Sequence, residues 1–97
     1  MITVRYKDSG KKRRITVDGH ANAGEKGQDI FCAAASTLVM TLQSALINSH
    51  IKFEQEISTG HADIKCNRQE SKVVFYTCMC GFYTLAKMYP DYYTVIS

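Results

Sequence analysis

Hydrophobic and polar positions alternate from the first residues: Ile2, Val4 and Tyr6 are set against Thr3, Arg5 and Lys7, the period of a half-buried strand. Lys7-Asp8-Ser9-Gly10-Lys11 supplies turn chemistry. Arg13 to Asp18 runs back with Ile15 and Val17 alternating, which predicts a β-hairpin. From Asp29 to about Ser49 the period changes. At about 100° per residue, Ile30, Ala34, Ala35, Leu38, Leu42, Ala45 and Leu46 share one broad apolar face, and a first helix is expected. Met40 and Ile47 fall on the flank away from that face. Ile51 to Ile57 alternates again, Ser58-Thr59-Gly60 turns the chain, and His61 to Cys66 completes a second hairpin with Ala62, Ile64 and Cys66 on one side.

A second helix is expected from near Ser71 to about Tyr89, carried by Val74, Cys78, Phe82 and Leu85 with Val73, Met88 and Tyr89, and stopped by Pro90. Tyr92 to Ile96 either adds a short edge strand or lies extended. The order ββαββα predicts an α+β fold: a four-stranded antiparallel sheet with two helices packed on it in two layers, and room for a short C-terminal strand. Ninety-seven residues without repeats, linkers or low-complexity tracts make a single domain, 1–97.

Composition narrows the class. Hydrophobic residues at 45% and charged residues at 22% are ordinary for a globular chain. The near-apolar run Ile30 to Leu42 is interrupted by Ser36, Thr37 and Thr41, and is well short of the roughly 20 residues that span a bilayer, so no membrane segment is expected. Met1-Ile2-Thr3-Val4-Arg5 reads as a strand rather than a leader, and Cys32, Cys66, Cys78 and Cys80 lack a secreted disulfide spacing. Four reduced thiols in a cytoplasmic protein are therefore expected. The net charge of +3 owes much to Lys11-Lys12-Arg13-Arg14. That run is read as a solvated hairpin turn, the alternative being a patch that meets acidic or nucleic-acid surfaces.

Residues 19 to 38 hold the candidate chemistry. His20 follows Gly19 at a strand end, glycines stand at 24 and 27, and Cys32 falls in the first turn of the first helix. A thiol there meets unpaired N–H groups and the positive end of the macrodipole, which favour thiolate, and a nearby imidazole can take and return its proton. The separation of His20 and Cys32 suits a loop that folds the ring back over the helix start, and the glycines would let that loop gate the pair. Asp29 and Ser36, three before and four after Cys32, share its edge of the helix. Backbone N–H groups near the helix start are the natural oxyanion donors. The same residues also fit plain structural roles: a small buried thiol, an N-cap and a loop histidine.

Two other constellations compete. Gly24-Glu25-Lys26-Gly27 is literally a GXXG, the clamp KH modules close on nucleic acid, but it follows a strand and Glu25 would repel phosphate. Cys66, Cys78 and Cys80 with His61 or His20 invite a zinc reading, yet Cys-x-Cys on a helix points its sulfurs about 200° apart. They are read as packing residues and no metal is expected. His50 and His61 are read as solvated, and the C-terminal tyrosines as core and rim. A non-enzymatic nucleic-acid or ribosome-binding module, using the basic turn and the GXXG-like loop, is the rival to a cysteine hydrolase, although direct nucleic-acid binding is not expected.

Gly19-His20-Ala21, then Gly27, then Asp29-Ile30-Phe31-Cys32-Ala33-Ala34 with Ser36 and Leu38 resembles the signature of the Prp family, ribosomal-processing cysteine proteases of Firmicutes and related bacteria. Gly81 to Tyr93, with Leu85-Ala86 and Tyr89-Pro90-Asp91-Tyr92, resembles the family's closing helix and tail. The resemblance implies a catalytic dyad of Cys32 and His20, with Asp29, Ser36, Gly19 and Gly27 supporting it or binding substrate, and no cofactor. It implies a homodimer and removal of the N-terminal extension from the precursor of large-subunit ribosomal protein twenty-seven, cut after a paired-aromatic motif.

Overall fold

The computed structural model describes residues 1–21 and 29–97. The GXXG at 24–27, the gating loop and Gly27 lie outside the described residues. Five strands and two α-helices follow the order β1 (Ile2–Asp8), β2 (Arg13–Gly19), α1 (Ile30–Asn48), β3 (Glu54–Ser58), β4 (His61–Cys66), α2 (Lys72–Met88) and β5 (Tyr93–Ile96), with a 3₁₀ turn, Gln69–Ser71, leading into α2. The expected α+β fold is present. Its C-terminal strand forms, and because β5 pairs parallel with β1 the five-stranded sheet is mixed, in the order β3-β4-β2-β1-β5.

The pairing explains the alternation. Ile15 lies opposite Tyr6 on one side and Ile64 on the other, and Val17 lies opposite Val4 and Ala62. A strand residue's neighbours across the ladder face the same way as itself. One face of the sheet therefore collects Ile2, Val4, Ile15, Val17, Ala62, Ile64 and Cys66, all buried with the helix residues. The other face keeps Arg14, Thr16, Asp63 and Lys65, and Arg14 pairs there with Asp63 at 2.6 and 3.0 Å. That guanidinium holds the Asp63 carboxyl below its usual range through their hydrogen bond. β3 starts later than expected and every residue of it is exposed, because it is an edge strand.

Both helices bury a stripe rotated from the expected one. In α1 the buried residues are Ala35, Val39, Leu42 and Leu46, while Ile30 is 70% exposed. Cys32 thus lies at the N-terminal end of the buried stripe rather than on a polar margin. In α2 the stripe is Phe75, Cys78, Met79 and Phe82, and Val73 and Met88 are exposed. The helices also pack on each other, so each divides its apolar surface between sheet and partner. α1 is longer than the apolar run suggested: its 19 residues, at mean hydropathy 1.8, are long and apolar enough by length and composition to cross a membrane. Here its buried stripe packs in the core instead.

Two polar details fix the frame. Arg13, expected in a solvated turn, is fully buried: it bonds Ser71 Oγ at 3.1 Å and the Arg68 carbonyl at 3.0 Å, and approaches Asp8 at 3.5 Å. The cation ties β2 to the start of α2. At the end of α1, the Ile51 N–H donates to the Leu46 carbonyl and the His50 N–H to the Ile47 carbonyl, the paired bonds of a Schellman stop. His50 occupies the left-handed position of that stop, at φ 57°.

Truncating Arg13 to Ala leaves a cavity and removes the guanidinium bonds to Ser71 Oγ and the Arg68 carbonyl, and should cost about 3 kcal/mol in urea unfolding. His50→Gly removes the left-handed penalty and should raise stability by about 1 kcal/mol in the same measurement.

Candidate active site

The ends of β2, of the β3–β4 hairpin and of α1 meet at a cleft of about 360 Å³ whose lining includes His20, Cys32, Ser36, Gly60 and His61. Asp29 begins α1: its Oδ1 accepts from the N–H groups of Phe31 and Cys32, both at 3.0 Å, and its carbonyl accepts from Ala33. This is an N-cap of ordinary geometry. It commits the first-turn donors that the sequence suggested for an oxyanion. A different donor faces the sulfur instead: the Ala21 N–H points at Cys32 Sγ from 3.4 Å. The residue after His20 therefore touches the thiol, which puts the end of β2 beside the start of α1.

The imidazole of His20 rests on the hairpin turn. A Cβ on Gly60 would lie 2.6 Å from His20 Nε2, and Gly60 has φ +71°. Gly19, just before His20, has φ +102°, and a Cβ there would lie 2.3 Å from the Met1 carbonyl. At Gly19 the backbone admits only glycine, and at Gly60 a side chain would strain the turn and push the His20 ring aside. The Gly19 N–H donates to the Gly60 carbonyl at 2.9 Å, and the Met1 nitrogen donates to the His20 carbonyl at 2.6 Å. Backbone bonds thus hold the His20 main chain on both sides.

Tyr93 secures the opposite side. Its hydroxyl donates to the Phe31 carbonyl at 2.6 Å, beside Cys32, and the Phe31 ring stacks on Tyr92 at 4.0 Å and meets Tyr89 edge-on. Burial, then the charges of Cys32 and Asp29, push the Tyr93 hydroxyl up to about 12, so it remains a donor at working pH. The sequence grouped these tyrosines as core and rim without seeing the bond; a phenol one strand past Pro90 gave no signal of it.

His61, read as solvated, keeps 34% of its side chain exposed but also has a partner. Its Nδ1 contacts Asp18 Oδ1 across the β2–β4 ladder, where the two residues lie opposite each other. The other thiols are scattered. Cys66 is buried between the Lys52 carbonyl and the Arg68 N–H, and Cys78 bonds the Leu38 carbonyl and is pushed up to about 12 by burial. Cys80, expected to pack, is exposed, because α2 turns that side to solvent. Among the described residues no group of three or more His, Cys, Asp or Glu could hold a metal ion. Of the basic run, Arg13 is buried and Arg14 is paired, which reduces the nucleic-acid patch to Lys11 and Lys12.

A thiol and an imidazole lining one cleft are the groups that cysteine-dependent acyl transfer requires. The chain belongs to the cysteine protease Prp family, whose pattern matches residues 1–94. It is 31% identical over 99 residues to the ribosomal processing cysteine protease Prp of Staphylococcus aureus strain NCTC 8325, covering 94% of this chain and 93% of that one. The fold is similar to two crystal structures of the S. aureus ribosomal processing protease Prp. The structure with a covalently linked product peptide has a TM-score of 0.88 and 29% identity, covering 99% and 98% of the two chains. The structure with a substrate peptide has a TM-score of 0.82 and 28% identity, covering 98% and 97%.

Gly60→Ala places a methyl against the His20 ring and strains the turn. Peptide cleavage should fall at least about tenfold, chiefly in kcat, through displacement of the imidazole. Steady-state kinetics on a peptide substrate checks this.

Proposed function

We propose that this cysteine protease is an endopeptidase that removes the N-terminal extension from the precursor of large-subunit ribosomal protein twenty-seven, cutting after a paired-aromatic motif, with Cys32 as nucleophile and His20 as general base and then acid. The observation that carries this reading is the Ala21 N–H to Cys32 Sγ contact, which brings the His20 segment to the sulfur at the start of α1. The ribosomal processing role of the S. aureus relative supports the substrate. The covalently linked product peptide in its structure fits a nucleophilic route.

In this mechanism the Cys32 proton passes to His20 as Sγ bonds to the scissile carbonyl carbon. The Ala21 N–H, beside the sulfur, supplies a donor for the developing oxyanion. Collapse breaks the C–N bond, and His20 returns the proton to the leaving amine. Water, deprotonated by His20, then attacks the thioester carbonyl, and the carbon–sulfur bond breaks to regenerate the thiol. Asp29 holds the first turn in place, and Ser36, one turn on in the same cleft, touches substrate. Gly19 gives the backbone turn that presents His20, and Gly27 belongs to the same supporting set. No cofactor takes part.

The protein works as a homodimer in the cytoplasm. Exposed Met40 and Ile47 on α1 support the dimer contact, and four free thiols suit a reducing compartment. Incubation with a precursor peptide should give cleavage that Cys32→Ala abolishes and His20→Ala lowers by about 10²–10⁴-fold. Cleavage that persists in Cys32→Ala removes this sulfur from the reaction. In a Cys80→Ser background, which silences the other accessible thiol, iodoacetamide should label Cys32 fastest.

A further inference from the structure

The helix-covered side of the sheet has an uncovered margin along β3. Ile57 lies opposite Ala62 and Gln55 opposite Ile64, so both side chains point to the side on which the helices pack. Ala62 and Ile64 are buried there, yet Ile57 is 48% exposed. Single exposed hydrophobes are common, but one that faces the core side of a sheet marks a gap in the covering layer. The gap is continuous with the cleft that holds Cys32: the same lining includes Ala35, Val39 and Gln43 of α1 with Ile57 and Ala62. At its far end a side-chain bond from Gln43 Nε2 to Gln55 Oε1, 2.6 Å long, ties α1 to β3.

We propose that this groove between α1 and β3 is a specificity subsite for one large aliphatic or aromatic side chain of the bound peptide, with Ile57 as its wall and Ala35, Val39 and Ala62 as its floor. The occupant follows from the lining. No carboxylate, lysine or arginine lines the cleft among the described residues, so a charged side chain entering it would lose hydration without a partner. An apolar one gains contact with Ile57 and Val39, and the two alanines give the groove its depth. The inference rests on the reading of Cys32 as the nucleophile of this cleft.

The position of the subsite sets which peptide residue it takes. Val39 stands two turns past Cys32 on α1, about 10 Å along the axis at about 1.5 Å per residue. An extended peptide covers that distance in about three residues. A peptide whose scissile carbonyl meets Cys32 Sγ and which runs along the groove therefore places a side chain about three residues from the cut against Ile57.

The test measures binding of a fluorescein-labelled peptide, spanning the extension and first residues of the ribosomal-protein precursor, by anisotropy to the full chain carrying Cys32→Ala. A set of peptides changes each residue within about four of the cut to Ala in turn. Truncating one apolar residue, about three from the cut, should raise Kd about tenfold. Adding Ile57→Asp should raise Kd of the parent peptide by a similar factor and cancel the further loss at that one peptide position. Ile57→Thr keeps the β-branched shape that suits a strand and should act in the same direction, while Ile57→Leu should hold Kd near the parent value. In the active protein, Ile57→Thr should lower kcat/KM and leave the pH profile of Cys32 alkylation unchanged. An unchanged Kd in the Asp and Thr variants, losses that add at every peptide position, or no binding by the Cys32→Ala parent overturns the proposal. Weaker self-association in sedimentation with peptide affinity intact also overturns it, because a second copy is then the occupant. Turnover that survives Cys32→Ala instead overturns the assignment of the nucleophile, which the affinity measurement does not read.

Discussion

The hydrogen bond from the Tyr93 hydroxyl to the Phe31 carbonyl is the constraint on which the arrangement depends. A helix start leaves N–H groups without intrahelical partners, and it frays unless something outside the helix holds it. Asp29 satisfies the donors from within, and Tyr93 fixes the turn to the sheet from without. Between them, Phe31 is packed among Tyr89, Tyr92 and Tyr93, so the residue before Cys32 has little freedom. A side chain in a first turn is placed precisely only with such support around it.

The second half of the cleft is built by different means. Where α1 is held by side chains, the β2 end is held by backbone bonds and by two glycines that permit close approach. Gly19 and Gly60 let the β2 end and the hairpin turn nest together, and the His20 ring occupies the space a side chain on residue 60 would fill. His20, just past the end of β2, is thereby held against the turn that leads into β4. The geometry of this cleft and the stability of the fold are not separable here.

Much of this was legible in the residue pattern. Alternation at Ile2, Val4, Ile15 and Val17 has a direct cause, since each residue faces the same helices, and it located the hairpins well. The Asp29 cap and the Cys32 position were equally local and therefore readable. What escaped depends on partners far along the chain. Arg13 looked like turn chemistry because nothing near it in sequence announces Ser71 and Arg68 as its buried partners. The Asp18 partner of His61 went unseen because the two meet only through strand pairing. Helix stripes were misjudged by a fraction of a turn, since each helix packs against two neighbours and a one-face periodicity cannot divide the surface between them. β5 pairing parallel with β1 likewise required the whole topology.

That parallel pairing joins Ile2 to Tyr93, nearly the full chain apart. Long-range closures of this kind form late, because the intervening chain must first be ordered. During synthesis the thiol emerges from the ribosome well before the phenol that steadies the turn beside it. A chain whose final strand has not docked thus lacks the Tyr93 hydroxyl that holds the turn before Cys32.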